Sequence, residues 1–368
     1  MQILLLGGTG AMGVSLKTIL AERGDEVFIT SRSPRKSERK NIHYIQGDAH
    51  NRAFLKEILK SRYDAIVDFM IYESDEFKKR SEQLLNASGQ YIFVSSSRVY
   101  ADSKKTITEE SPRLLDVIGD KEYLRTDEYA LAKAREENVL FFSKQRNWTI
   151  IRPYITYNVE RLQLGGIEKD VWLYRALHGR SIPLPQNIAL HQTTMTYGGD
   201  VALAIVKLIG NPKALREVFH LTGNEHMTWS EILDIYLEVM ASECGIRPKV
   251  YTPENSIRIC EIMGNKYQIE YDRLYDRVFD NSKLCSVCGD DLRFMPMKDG
   301  LSMCLREFLK NPKWKNIVNE KLEVHLNKES EEKIALNELH GVKSKLKYFG
   351  WKYTPWMLDT VKRVWDKG

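Results

Sequence analysis

The chain is short of the features that mark membrane or secreted proteins. In 368 residues no apolar run approaches the roughly 20 residues that a bilayer-spanning helix needs. The N-terminus, MQILLLGGTG, is apolar but has no basic leader and runs straight into glycines, which argues against a secretory signal. Cysteine is scarce, at five residues. Without a signal, that points to reduced thiols and a cytoplasmic protein with no membrane partner. CSVC (285–288) lacks the second close pair that a four-cysteine zinc site requires, since Cys244, Cys260 and Cys304 are scattered, so no metal site is expected. Charge of one sign is lacking too: 55 Lys and Arg face 50 Asp and Glu, a net +5. That excess is too small to imply nucleic acid, though it suits an anionic ligand such as a phosphorylated metabolite. There is no repeat and no low-complexity tract. The nearest is NKESEEKIALNELH (327–340), whose charges predict an exposed helix.

What is present is an alternation of strand and helix patterns. QILLL (2–6), EVFIT (26–30), IHYIQ (42–46), AIVDFMI (65–71), YIFVSS (91–96) and WTIIRP (148–153) are apolar almost throughout, as strands covered on both faces should be. Helical spacing runs through 12–22, 52–60, 77–87 and 127–144. The class is therefore α/β, a Rossmann-type doubly wound parallel sheet with right-handed crossovers. After Pro153 the pattern loosens. It returns in 191–210 and 218–223, then gives way to a helix at 229–242 and a mostly helical tail. This predicts a nucleotide-binding domain over 1–155, joined by a segment at about 191–223. A smaller, mostly helical substrate domain would be made from 156–190 and 224–368. The aromatic tail YFGWKYTPWMLDTVKRVW (348–365) is expected to pack on its own core, with an interface as the alternative.

LLLGGTGAMGVSL sets Gly7, Gly10 and Gly13 at three-residue spacing between a strand and a helix, with Ala11 and Met12 inside the turn. Gly7 allows the tight turn, Gly10 lets a pyrophosphate approach the backbone, and Gly13 lets the helix pack close to the sheet. The phosphates would rest on the helix N-terminus. The second strand ends in Ser31 and Arg32, with Arg35 and Lys36 close by and no carboxylate for a ribose hydroxyl. Arg32 suits a 2′-phosphate, which favours NADP over NAD; the bland alternative is a basic surface loop. Asp48 after the third strand suits the adenine amino group, or is a plain turn residue.

Tyr129 and Lys133 share a helix face in DEYALAKAREEN (127–138). Alone they would be a solvated surface pair. They follow QYIFVSSSRVYA (90–101), a strand ending in three serines where ligand chemistry sits in such sheets. GGTGAMG, VSSSRVYA, YALAK, IIRPYITY and YGGDVALAI occur in the order of the extended short-chain dehydrogenase/reductases. Over residues 1–285 the chain resembles their NAD-dependent epimerase/dehydratase family; later residues match no part of it.

The resemblance implies roles. Tyr129 would be the acid/base for an alcohol–ketone pair, and Lys133 would stabilise its phenolate and bond the nicotinamide ribose. Ser96, three residues before Val99, would bond the substrate oxygen. Pro153 in RPYITY would pass near the nicotinamide. Dehydratases of the family carry an Asp-Glu pair after the catalytic Ser or Thr; here Ser97 and Arg98 stand there, which removes the acid and base for elimination. Ser97 would then face substrate. DRVFDNSKL (276–284) resembles an Arg-x-x-Asp-x-x-Lys segment whose Arg277 would bind a substrate diphosphate or form a surface salt bridge. The expected protein is a homodimeric sugar-nucleotide epimerase or ketoreductase, paired through the 77–87 and 127–144 helices. The alternative is a non-catalytic or RNA-binding atypical member, a branch that YDAIVDFMIYE (63–73) and the basic pI resemble. The intact Ser96, Tyr129 and Lys133 argue against it.

Overall fold

Seven apolar segments build one parallel sheet: β1 (Gln2–Leu6), β2 (Glu26–Ser31), β3 (Ile42–Gln46), β4 (Tyr63–Asp68), β5 (Ser88–Val94), β6 (Trp148–Pro153) and β7 (Glu217–Leu221). The spatial order is β7-β6-β5-β4-β1-β2-β3, with every pair parallel. This computed structural model describes residues 1–358 apart from Glu38, Asp290, Asn316 and Ile317. Successive side chains leave opposite faces of a strand, so each strand feeds two cores. Ile3, Leu5, Val27, Ile29, Val67 and Ile92 enter one, with Leu16 and Leu20 of α1 (Ala11–Glu22) and Val201 and Ile205 of the 198–208 helix. Leu4, Leu6, Ile66, Tyr91, Phe93 and Ile150 enter the other. There they meet α2 (Arg52–Ile58) through Leu55 and α3 (Ser74–Asn86) through Phe77 and Leu84. Both cores are dry. Truncating Leu4 or Leu5 to Ala would cost about 2–5 kcal/mol. The order reverses between β1 and β4, so the carboxyl ends of these two strands flank the crevice where such sheets bind ligands.

The chain divides into two units. One is 1–161 with 192–227 and 275–301; the other is 162–191 with 228–274 and 302–368. Residues 275–301, expected in the second domain, lie in the first. The Ile107 amide donates to the Val278 carbonyl at 2.8 Å and the Asp280 amide to the Ile107 carbonyl at 2.8 Å. Pairing of this kind cannot be read from hydrophobic period.

In the second unit the 327–340 stretch corrects the expectation of an exposed helix. The helix Glu320–Glu329 stops early, and the chain turns at Glu331 with φ of 56°. The turn aims carboxylates at buried arginines. Arg175 donates to Glu323 and Glu332 at 2.7 Å each, and Arg180 to Glu338 at 2.6 Å. Glu332 and Glu338, whose charges suggest solvent, are therefore used inside, while Lys328, Glu329, Glu331 and Lys333 stay exposed. The aromatic tail is also corrected in part. Tyr348 is buried, but Tyr353 and Trp356 are 68% exposed; residues 359–365 lie outside the described residues. Among the described residues no helix is long and apolar enough to cross a membrane.

Candidate active site

The glycine turn is shaped by contacts that only glycine tolerates. Gly7 has φ of +69°, and its amide donates to Thr30 Oγ1 at 3.0 Å, tying the turn to β2. A Cβ on Gly13 would sit 2.3 Å from the Gly8 carbonyl oxygen, so α1 packs directly on the turn. A Cβ on Gly10 would meet nothing within 4 Å. Gly10 precedes α1 without a side-chain cap, and the first turn has no acidic residue. The result is a row of free helix N–H groups opening from an exposed glycine, a cradle that fits a phosphate. Ala11 opens the helix, and Met12 receives the Thr156 hydroxyl on its sulfur at 3.8 Å.

Along the neighbouring strand ends, Ser31 is buried and donates to the Ser33 carbonyl at 2.9 Å, while Arg35 Nε donates to Ser31 Oγ at 3.3 Å. Arg32 is exposed and makes no hydrogen bond or ion pair among the described residues. Asp48 accepts from the His50 amide at 3.0 Å, a turn role that leaves it exposed at the strand end. A cleft of about 400 Å³ lies between α1 and β3, lined by Lys17, Arg35, Lys36, Arg39 and Tyr44.

The three serines after β5 have three different fates. Ser95 is buried and donates to Glu137 at 2.6 Å. Ser97 is fully buried and donates to the Arg152 carbonyl at 2.8 Å. This corrects its expected place at the substrate, because its hydroxyl is spent inside. Ser96 accepts from the Arg98 amide at 3.2 Å and remains 7% exposed. Tyr129 is the first residue of α4 (Tyr129–Phe141), behind the cap Glu128, which accepts from the Ala130 amide at 2.8 Å. Glu128 also takes Arg98 Nη2 at 2.6 Å, and the Arg98 guanidinium lies 5.3 Å from the Tyr129 ring centroid. The Ser96 turn and Tyr129 are thus linked through one arginine.

Lys133 points elsewhere. It is 2% exposed, with Nζ 4.5 Å from the Phe93 ring centroid. It donates to the Met70 carbonyl at 3.3 Å and to Glu136 at 3.0 Å, with no hydrogen bond to Tyr129. Burial pushes Glu136 up to about 7 against the pull of Lys133, and its Oε1 has no partner. Beside this pair Asp68, at the end of β4, takes Tyr91 Oη at 2.8 Å, Tyr72 Oη at 3.0 Å and the Met70 amide at 3.0 Å. Burial pushes Asp68 up as well, with Lys133 opposing. Asp68, Tyr72, Tyr91 and Glu136, the buried surroundings of Lys133, were not anticipated from the sequence. A signal existed: Glu136 is three residues from Lys133, on the same helix face, and Asp68 and Tyr72 lie in YDAIVDFMIYE.

Arg277 is also corrected. It is fully buried, and its guanidinium donates to the Tyr100 carbonyl at 3.1 Å and the Ala101 carbonyl at 3.2 Å, so it shapes the chain after the serine turn and does not face a diphosphate. Pro153 closes β6 opposite Leu221 of β7. The five cysteines are free; burial raises Cys288 to about 11 and Cys304 to about 12, which keeps both thiols protonated.

Residues 3–221 match the NAD dependent epimerase/dehydratase family. The chain belongs to that family. Chloroplast stem-loop binding protein of 41 kDa b from Arabidopsis thaliana is 29% identical over 245 residues, 62% of this chain; the match spans 60% of that relative's length. Among solved structures, dTDP-glucose 4,6-dehydratase from Bacillus anthracis in complex with NAD is similar at TM-score 0.65 and 18% identity, covering 85% of this chain and 98% of that one. WbmH from Bordetella bronchiseptica in complex with NAD+ is similar at 0.62 and 15%, covering 85% and 99%. At these identities the structures establish the fold alone, the Rossmann-type parallel sheet.

Proposed function

We propose that the protein is an NADP(H)- or NAD(H)-dependent epimerase or ketoreductase acting on a sugar nucleotide. The observation that carries this is Tyr129 at the mouth of α4, held by Arg98 against the turn that presents Ser96. Family membership and the NAD-bound structural neighbours support a nicotinamide cofactor. The uncapped N-terminus of α1, with Gly10 open in front, would hold its pyrophosphate. Exposed Arg32, with no carboxylate near it in sequence, favours the 2′-phosphate of NADP. A bound nicotinamide would donate and accept hydride. The chain's own part is proton transfer. Tyr129 Oη gives a proton to, or takes one from, the substrate oxygen, and Ser96 Oγ orients that oxygen. Arg98 keeps the Tyr129 ring in place.

Mass spectrometry of cofactor released from purified protein, then a nucleotide-sugar screen read by nicotinamide absorbance, tests the reading. Tyr129→Phe should keep cofactor binding and lose about 10²–10⁴-fold in turnover. Normal turnover by that variant would end the mechanism. Arg32→Glu should weaken NADPH by more than about tenfold and NADH little; equal weakening would remove the 2′-phosphate assignment.

A second reading, nucleic-acid binding, is favoured by the name of the Arabidopsis relative and by the basic cleft of Lys17, Arg35, Lys36 and Arg39. Stem-loop RNA affinity that falls steeply with salt and is lost in Arg35→Glu would support it.

A further inference from the structure

The helix Gly341–Tyr353 carries a stripe that the fold of its unit leaves bare. Val342 is 73% exposed, Leu346 68%, Phe349 37% and Tyr353 68%. At about 100° per residue these four fall within an arc of roughly 60°. Trp356 and Met357, 68% and 49% exposed, follow directly. The opposite face is the one that packs. Tyr348 is buried with Ile334 and Leu339, Ser344 donates to Glu320 at 2.8 Å, and Lys321 Nζ lies 4.2 Å from the Trp351 ring centroid. So the helix is anchored by one side and presents a contiguous apolar line on the other. Isolated exposed apolar residues are ordinary; a continuous stripe calls for an occupant.

The flanking charges say which. Lys343 and Lys347 border the stripe on one side, Lys345 and Lys352 on the other, and 341–358 holds no Asp or Glu. Aromatic residues gather at one end, in Tyr353 and Trp356. An apolar line between two lysine rows, with amphipathic aromatics beside it, matches an interface where acyl chains meet anionic headgroups. We propose that this helix docks the protein, lying flat, on an anionic phospholipid bilayer. No residue of the candidate active site takes part, so this docking stands apart from the proposed reaction.

Full-length protein is mixed with vesicles of phosphatidylcholine plus phosphatidylglycerol, or of phosphatidylcholine alone, and sedimented. Partition onto the anionic vesicles, falling as salt rises, is expected. Leu346→Glu should reduce it at least about tenfold with unchanged thermal melting, since that side chain is mostly exposed. Lys345→Glu with Lys347→Glu, which leaves every apolar contact intact, should reduce it similarly. No partition, equal partition onto both vesicles, or indifference to both variants would overturn the proposal. So would a dimer in lipid-free buffer that Leu346→Glu dissolves, because the stripe would then be covered by a second copy.

Discussion

Glu136 and Glu137 are neighbours on α4, both fully buried, both facing a cation, and they behave in opposite ways. Burial alone would push Glu137 up, but Arg152 takes both its oxygens at 2.7 Å, with Arg113 and Ser95 adding bonds, and together they hold it below the usual carboxylate range. Glu136 meets one ammonium, which it shares with a backbone carbonyl, and a second buried carboxylate, Asp68, disfavours its charge. The lesson is that satisfying every lone pair, more than proximity to a cation, decides whether a buried carboxylate stays ionised. The satisfied pair is structural. It continues from Arg152 to Tyr100 and from the Tyr100 hydroxyl to His220 at 2.6 Å, bracing β6 and β7. The unsatisfied pair holds the lysine of the candidate site.

The sharpest break of this contrast is Arg152→Ala. It strands Glu137 without its bidentate partner and should cost about 3–5 kcal/mol in urea unfolding. A loss under about 1 kcal/mol would show that Arg113 alone suffices. The next effect is in pH. Glu136 has a folded value near 7 against an ordinary 4.5. Its contribution is therefore fully present below 4.5 and is lost as pH rises toward 7, on the order of 3 kcal/mol. Glu137 is lowered, so its contribution is present above 4.5 and is lost as pH falls through its folded value. Stability differences between wild type and Glu136→Gln should decline from pH 4.5 to 7, whereas those for Glu137→Gln should grow as pH rises from the acid side. Parallel curves would mean that the two carboxylates share one environment.

The sheet was legible because its central strands are apolar on both faces and stand out against charged helices; the edge strand β3, half-exposed at His43 and Tyr44, stands out less. The glycine turn was legible because Gly7, with its positive φ, and Gly13, whose Cβ would strike the Gly8 carbonyl, meet steric demands that no other residue satisfies, while Gly10 keeps their spacing and stands in open space. The roles of the serines were not, because period 2 says only that Ser95 and Ser97 share a face, not which hydroxyl finds Glu137 and which the Arg152 carbonyl. In AREEN both glutamates look solvated; only the tertiary fold turns them inward. Arg277, Glu332 and Glu338 were misplaced for the same reason. A charged side chain suggests solvent until a partner far along the chain is known.

The smallest effect separates two adjacent serines. Ser95→Ala removes a hydroxyl from a buried, charged carboxylate, so it should cost about 1.5–3 kcal/mol. It should leave turnover per folded molecule near wild type, since Ser95 is 1% exposed and faces Glu137. Ser96→Ala removes only the cap on the Arg98 amide, worth less than about 1 kcal/mol. Its cost should appear in kcat if Ser96 Oγ orients the substrate oxygen. Urea midpoints and turnover measured on the same two preparations make the comparison. If the serine that stabilises were also the one that slows turnover, the division between the bracing pair and the candidate site would fail, because Glu137 would then act on the chemistry through Ser95.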